Sequence, residues 1–177
     1  MKVLLTKLWP VPASDKDTAM LDIMPRKRTR YYITAFGPLY DGLSDIAWLI
    51  LRVTVGASLI PHGMQKLFMA FNGPGAEKFA AGLAGQGFPA PTLMAWLVAL
   101  TEFVGGTLLA VGLLTRPAAL AVFIFMMVAV FAAHMPNGFF WTNKGFEYPL
   151  MWGIAALFFL IRGGGAYSVD RAIGREF

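Results

Sequence analysis

The chain contains apolar runs long enough to cross a bilayer, and two of them carry a charge near the middle. Crossing the ~30 Å hydrocarbon core takes about 20 mainly apolar residues. The runs at 43–61, 92–114 and 117–135 meet that requirement. A fourth, 146–161, is shorter and spans with little tilt or with its ends at the interface. Arg52 sits in the first run and Glu102 in the second. A charge at the bilayer centre costs about 2.5–3.5 kcal/mol on insertion scales. Two charges of opposite sign at similar depth are therefore expected to pair. The fold class that follows is an all-α integral membrane protein, an up-down-up-down bundle of four transmembrane helices with a polar interior.

Composition agrees with that reading. Of the residues, 57% are hydrophobic and only 14% charged, against roughly half and a quarter in soluble domains. There is no cysteine, which excludes disulfides, CxxC relays and iron–sulfur ligation on this chain. Two histidines are too few for a multi-histidine metal cage, and no metal site is expected. The start of the chain does not resemble a cleavable signal peptide, because Lys7 interrupts its short apolar stretch and Pro10 ends it.

Lysine and arginine counts set the expected topology. Residues 1–42 carry seven, Arg116 lies between the second and third runs, and Arg162, Arg171 and Arg175 follow the fourth. Those eleven fall on one side, and only Lys66, Lys78 and Lys144 fall on the other. Both termini are thus expected in the cytoplasm. The net charge of +5 needs no nucleic acid to explain it. The cluster Arg26-Lys27-Arg28-Thr29-Arg30 suits anionic lipid headgroups better.

The expected domains are a basic cytoplasmic extension (1–42), a four-span membrane domain (43–162) and a cytoplasmic tail (163–177). Prolines at 10, 12, 25 and 38 bar a long helix from the extension. The glycine-rich segment after Pro61 leaves room for a short interfacial helix between Pro74 and Ala84. The connection Leu114-Thr115-Arg116-Pro117 is so short that the second and third spans must pack antiparallel. Gly105, Gly106 and Gly112 allow close helix approach.

With that topology, His62 ends the first span, His134 ends the third and Glu147 opens the fourth, all at the outer face. Gln65 and Lys66 lie one turn beyond His62. Glu102 lies about 15 Å deep at 1.5 Å per residue. The expected picture is a polar funnel with its mouth at the outer face and Arg52 and Glu102 at its base. The candidate catalytic residues are His62, His134, Glu147 and Glu102. The candidate ligand contacts are Gln65, Lys66, Arg52 and Tyr148. Each also has a plainer reading. The Arg52–Glu102 pair can serve only to fix helix register, the histidines can be bonded to backbone carbonyls at the interface, and Lys66 can anchor at headgroups.

Several strings resemble a known family. His62-Gly63-Met64-Gln65-Lys66-Leu67-Phe68 is similar to the HGxxKLF segment of DoxX-type membrane proteins. Thr101-Glu102-Phe103-Val104-Gly105-Gly106, with Val111-Gly112-Leu113-Leu114-Thr115-Arg116-Pro117-Ala118-Ala119, resembles their EFxGGxxLxxGLxTRxAA stretch. His134-Met135-Pro136-Asn137-Gly138-Phe139-Phe140 and Gly145-Phe146-Glu147-Tyr148 resemble two further motifs. Gly163-Gly164-Gly165-Ala166-Tyr167-Ser168-Val169-Asp170 is similar to the family's GPGxxSLD ending, with Gly164 in place of proline. The resemblance covers about 45–177. It implies a four-helix protein of the bacterial inner membrane, with relatives linked to redox work as a thiosulfate:quinone oxidoreductase subunit or as a partner in a membrane oxidoreductase complex.

Three functional readings fit these residues. The first is a quinone-linked component of an oxidoreductase system, with quinone as the expected cofactor, electrons from a protein partner or a small donor, and membrane lipids around it. The second is a non-enzymatic protein that binds or transports a small molecule or lipid, or acts as a scaffold. The third is haem or copper handling.

Overall fold

In the computed structural model, residues 32–177 are described. The basic extension expected over 1–42 therefore lies, as far as residue 31, outside the described residues. The chain divides between Tyr40 and Asp41. Ahead of that point a 3₁₀ turn, Thr34–Phe36, precedes the first long helix. Phe36 and Tyr40 contact each other with ring centroids 6.1 Å apart. The remaining description concerns residues 41–177.

Helix α1 runs Gly37–Leu67. It begins earlier and ends later than the 43–61 run suggests. Pro38 falls in its first turn, where a missing N–H removes no helical bond. Pro61, where the apolar run stops, lies inside the helix, which continues six residues further, past the expected end at His62. In a low-dielectric setting an ended helix would strand its carbonyls without water, so continuing past one lost bond is the cheaper solution. As a result His62, Gln65 and Lys66 are helical, with His62 and Lys66 one turn apart on one face. From residue 41 onward the buried positions of α1 are Arg52, Val55, Gly56, Leu59 and Gly63, a stripe at helical spacing. Ile50 and Val53 on the far side stay exposed.

Helix α2, Gly75–Gly85, occupies the glycine-rich segment. Its Ala80 and Leu83 form a small core with Ala95 at the start of the next helix. Helix α3 covers Pro91–Val111 in three stretches: Pro91–Leu100, a π-helical turn Thr101–Gly105, and Gly106–Val111. Gly112 closes it with φ +74°, and its neighbour Leu113 donates back to Leu108. That left-handed position is one glycine takes without strain.

Helix α4, Thr115–Val128, turns back at once. It passes into a second π-helical stretch, Ala129–His134, and a 3₁₀ turn, Met135–Asn137. Helix α5 is Glu147–Arg162 and packs along α4, with Gly153 against Met126 and Met127. A last short helix, α6, is Val169–Ala172. The core joins Val55, Leu109, Ala119 and Phe159 at one level, and Leu59, Val122, Met126 and Ala156 at the next. No strand occurs among the described residues. Among the described residues, three helices are long and apolar enough to cross a membrane: Thr34–Leu67, Pro91–Val111 and Thr115–Asn137. Helix α5, at 16 residues, is shorter.

A candidate ligand cavity and a second polar knot

The register of α1 against α3 decides where the charges fall. The two helices cross where Gly56 meets Gly106. A Cβ on Gly56 would overlap the backbone of Gly106 and Ala110, and one on Gly63 would overlap Phe103. Only glycine permits so close an approach. In this antiparallel register Glu102 lies level with the end of α1, whereas Arg52 lies level with Gly112, the residue that closes α3.

The expected pairing of Arg52 with Glu102 is therefore not formed. Glu102 instead accepts a hydrogen bond from Lys66 Nζ at 2.6 Å, with both side chains largely buried. Lys66 also donates to the carbonyl of His62 at 3.3 Å. Its Nζ lies 4.9 Å from the Phe79 ring centroid, so α2 covers the pair. Lys66 and Arg52 are fourteen residues apart on one helix, about 21 Å at the α-helical rise. These are two separate sites.

Arg52 is 1% exposed and is hydrogen-bonded to the segment after α5. Its Nη1 donates to the Gly164 carbonyl at 2.6 Å and its Nη2 to the Tyr167 carbonyl at 2.8 Å. Asp170 completes this knot. Its carboxylate accepts from the backbone of Leu114 and Thr115, both at 2.8 Å, and from the Thr115 hydroxyl at 2.7 Å. An acceptor on the free N–H groups that open α4 is an N-terminal cap, supplied here from 55 residues away. Ser168 caps α6 by accepting from Arg171 N. Trp48 donates to the Gly163 carbonyl at 3.3 Å and stacks under Arg162, 5.0 Å from its ring.

At the other end, α1, α3, α4 and α5 enclose a cavity of about 360 Å³. Its polar lining is Ser58, His62, Glu102, His134 and Tyr148. Its apolar walls include Leu59, Phe125, Met126 and Trp152. Both π-helical turns reach it, one through Glu102 and the other through Ala129 and His134. Such turns change which way the following side chains face and recur at functional sites. His134 Nδ1 lies 2.6 Å from the Lys144 carbonyl. A carbonyl only accepts, so Nδ1 carries the hydrogen, leaving Nε2 as an acceptor in a neutral ring. Trp152 Nε1 donates to Ser58 Oγ at 2.8 Å, and Ser58 Oγ donates to the Val55 carbonyl at 2.9 Å.

The other sequence candidates lie elsewhere. Glu147 is spent on the loop, where its carboxylate accepts from Trp141 N at 3.1 Å, and it is not among the cavity residues. Gln65 is packed against Gly73, and Arg52 is at the far knot. Sequence reasoning missed Ser58 and Trp152 in the cavity and Thr115, Ser168 and Asp170 in the knot. A signal for the knot was available, since Ser168 and Asp170 stand in one of the quoted strings. For Ser58 and Trp152 the only hint was a polar side chain in each apolar run.

Fold and site together describe a small helical membrane protein with a polar cavity lined by α1, α3, α4 and α5. The sequence profile of the DoxX family matches residues 47–135, and the chain belongs to that family. It is 33% identical over 144 residues to the uncharacterized membrane protein Rv3486 of Mycobacterium tuberculosis, covering 72% of this chain and 82% of that one. It is 29% identical over 140 residues to an uncharacterized protein of Haemophilus influenzae, covering 76% and 87%. It is 28% identical over 135 residues to the inner membrane protein YqjF of Escherichia coli, covering 76% and 98%. No solved structure matches the chain.

Proposed function

We propose that this protein is the quinone-binding membrane component of a redox system. The observation that carries the reading is the cavity. It offers His62, His134 and Glu102 among apolar walls, and amphiphilic rings need a few placed polar groups in an otherwise apolar cleft. Interconversion of quinone and quinol moves two electrons and two protons. The histidines and Glu102 would exchange the protons, and a protein partner or small donor would take up or supply the electrons. Glu147 serves as a loop brace in this reading.

The proposed setting is the inner membrane, in keeping with the name of the Escherichia coli relative. In it α5 forms a fourth, short span, the bundle runs up-down-up-down, and the eleven-to-three charge asymmetry holds both termini in the cytoplasm. An organic extract of the protein purified from native membranes tests the function. Co-extracted quinone, reduced by the substitutions His62→Gln and His134→Gln together, is the expected result. An extract without quinone, joined to a haem absorption band in the purified protein, would replace this reading with haem handling.

A further inference from the structure

The hydrogen-bonding capacity of the cavity is lopsided. Lys66 is the cation nearest the deep end, and its donors are engaged by Glu102, by the His62 carbonyl and by the Phe79 ring. Trp152 gives its N–H to Ser58, and Ser58 gives its hydroxyl hydrogen to Val55. His134 gives its Nδ1 hydrogen to Lys144. The groups left unused are mostly acceptors. Glu102 Oε1 receives no hydrogen bond among the described residues, because Lys66 binds Oε2. His134 Nε2 is an acceptor in the neutral ring, and neutral His62 and the Tyr148 hydroxyl each contribute one acceptor and one donor. A ligand carbonyl placed between Glu102 and His134 would face lone pairs from both. A hydroxyl would satisfy them.

We propose that the cavity recognises a neutral amphiphile through the hydrogens it donates, an aromatic diol or alkylphenol, and discriminates against the corresponding carbonyl compound. This rests on the cavity being the ligand site. For a quinone-linked protein it means that the quinol is held and the quinone released. A site built to bond a hydroxyl rejects the analogue that lacks it, because a buried acceptor, here the Glu102 carboxylate, is then left unpaired.

The test uses the full-length protein in lipid nanodiscs under anaerobic conditions, with two matched pairs of probes. One pair is a decyl-substituted benzoquinol and its benzoquinone. The other is 4-octylphenol and its methyl ether. The expected result is about tenfold or greater preference for the hydroxyl member of each pair. Ser58→Ala, which frees the Trp152 N–H as a donor, should shift the first pair toward the quinone. Glu102→Gln, which replaces an acceptor-only group with one that also donates, should shift it the same way. Quinone bound as tightly as quinol by the parent protein would overturn the proposal and leave the quinone reading standing. Selective phenol binding with neither quinol nor quinone bound would do the reverse. Equal affinity within the phenol pair, or no binding of any probe, would overturn the donor preference.

Discussion

Arg52 and Glu102 show what a single residue in an apolar run reveals and what it conceals. That each needs a partner follows from the cost of burying a charge. Which partner it finds depends on where Gly56 and Gly106 let the helices cross, and that contact lies between segments 50 residues apart. Lys66 was legible as a polar residue near His62. Its place against Glu102 was not, because the apolar run stops at Pro61 whereas the helix that presents Lys66 continues to Leu67. The two charges can be tested separately. Removing Glu102 alone leaves Lys66 buried without a counter-charge, which typically costs ~3–5 kcal/mol. In thermal unfolding in detergent, Glu102→Leu should lower the midpoint strongly, and adding Lys66→Met should recover much of the loss. Arg52→Met strands two carbonyls and removes two charge-assisted bonds, a loss of about 3 kcal/mol. Combined with Glu102→Leu, its effect should simply add, as it does for distant sites. Recovery in that double variant would mean that Arg52 and Glu102 are in contact after all.

At the level of elements, the sequence showed the long helices well and their irregularities poorly. The helical spacing of Arg52, Val55, Gly56, Leu59 and Gly63 on α1, and the short Leu114–Thr115 connection, follow from pattern and turn chemistry. The π-helical turns at Thr101–Gly105 and Ala129–His134 carry no such signature, since one inserted residue is set by what the neighbouring helices and the cavity demand. The cap on α4 was equally hidden. Asp170 is remote in sequence, and a search for caps looks just ahead of a helix. Its replacement by alanine leaves the Leu114 and Thr115 N–H groups and the Thr115 hydroxyl without their acceptor. A fall of about 1–2 kcal/mol is expected, read as a lower unfolding midpoint, with Asp170→Asn intermediate. At the crossing, Gly56→Leu should be worse than either, because the side chain has only Gly106 and Ala110 backbone to move into. Membrane-fraction yield should drop sharply for Gly56→Leu and hardly at all for Gly82→Leu, where nothing lies within 4 Å of an added Cβ.

For the whole molecule, orientation is the property most open to direct measurement. The chain has no cysteine, so a single introduced thiol reports without background. Cysteine at Gln86 or Asn143 should react with an impermeant maleimide in intact cells, and cysteine at Arg175 should react only after lysis. Labelling at Arg175 alone would invert the assignment. The C-terminal knot also sets an order of assembly. Arg52 enters the membrane with the first helix, while the carbonyls that receive it belong to residues made 112 and 115 positions later. At ~5–20 residues per second of synthesis that is roughly 6–22 s. Through that interval the guanidinium lacks these two carbonyls, and the start of α4, once made, waits 55 residues more for its cap, Asp170. Synthesis of residues 164–170 is therefore also the moment at which this end of the bundle can close. A chain terminated ahead of Gly163 should insert yet be cleared rapidly by membrane proteases, a shorter half-life that a pulse–chase would read directly.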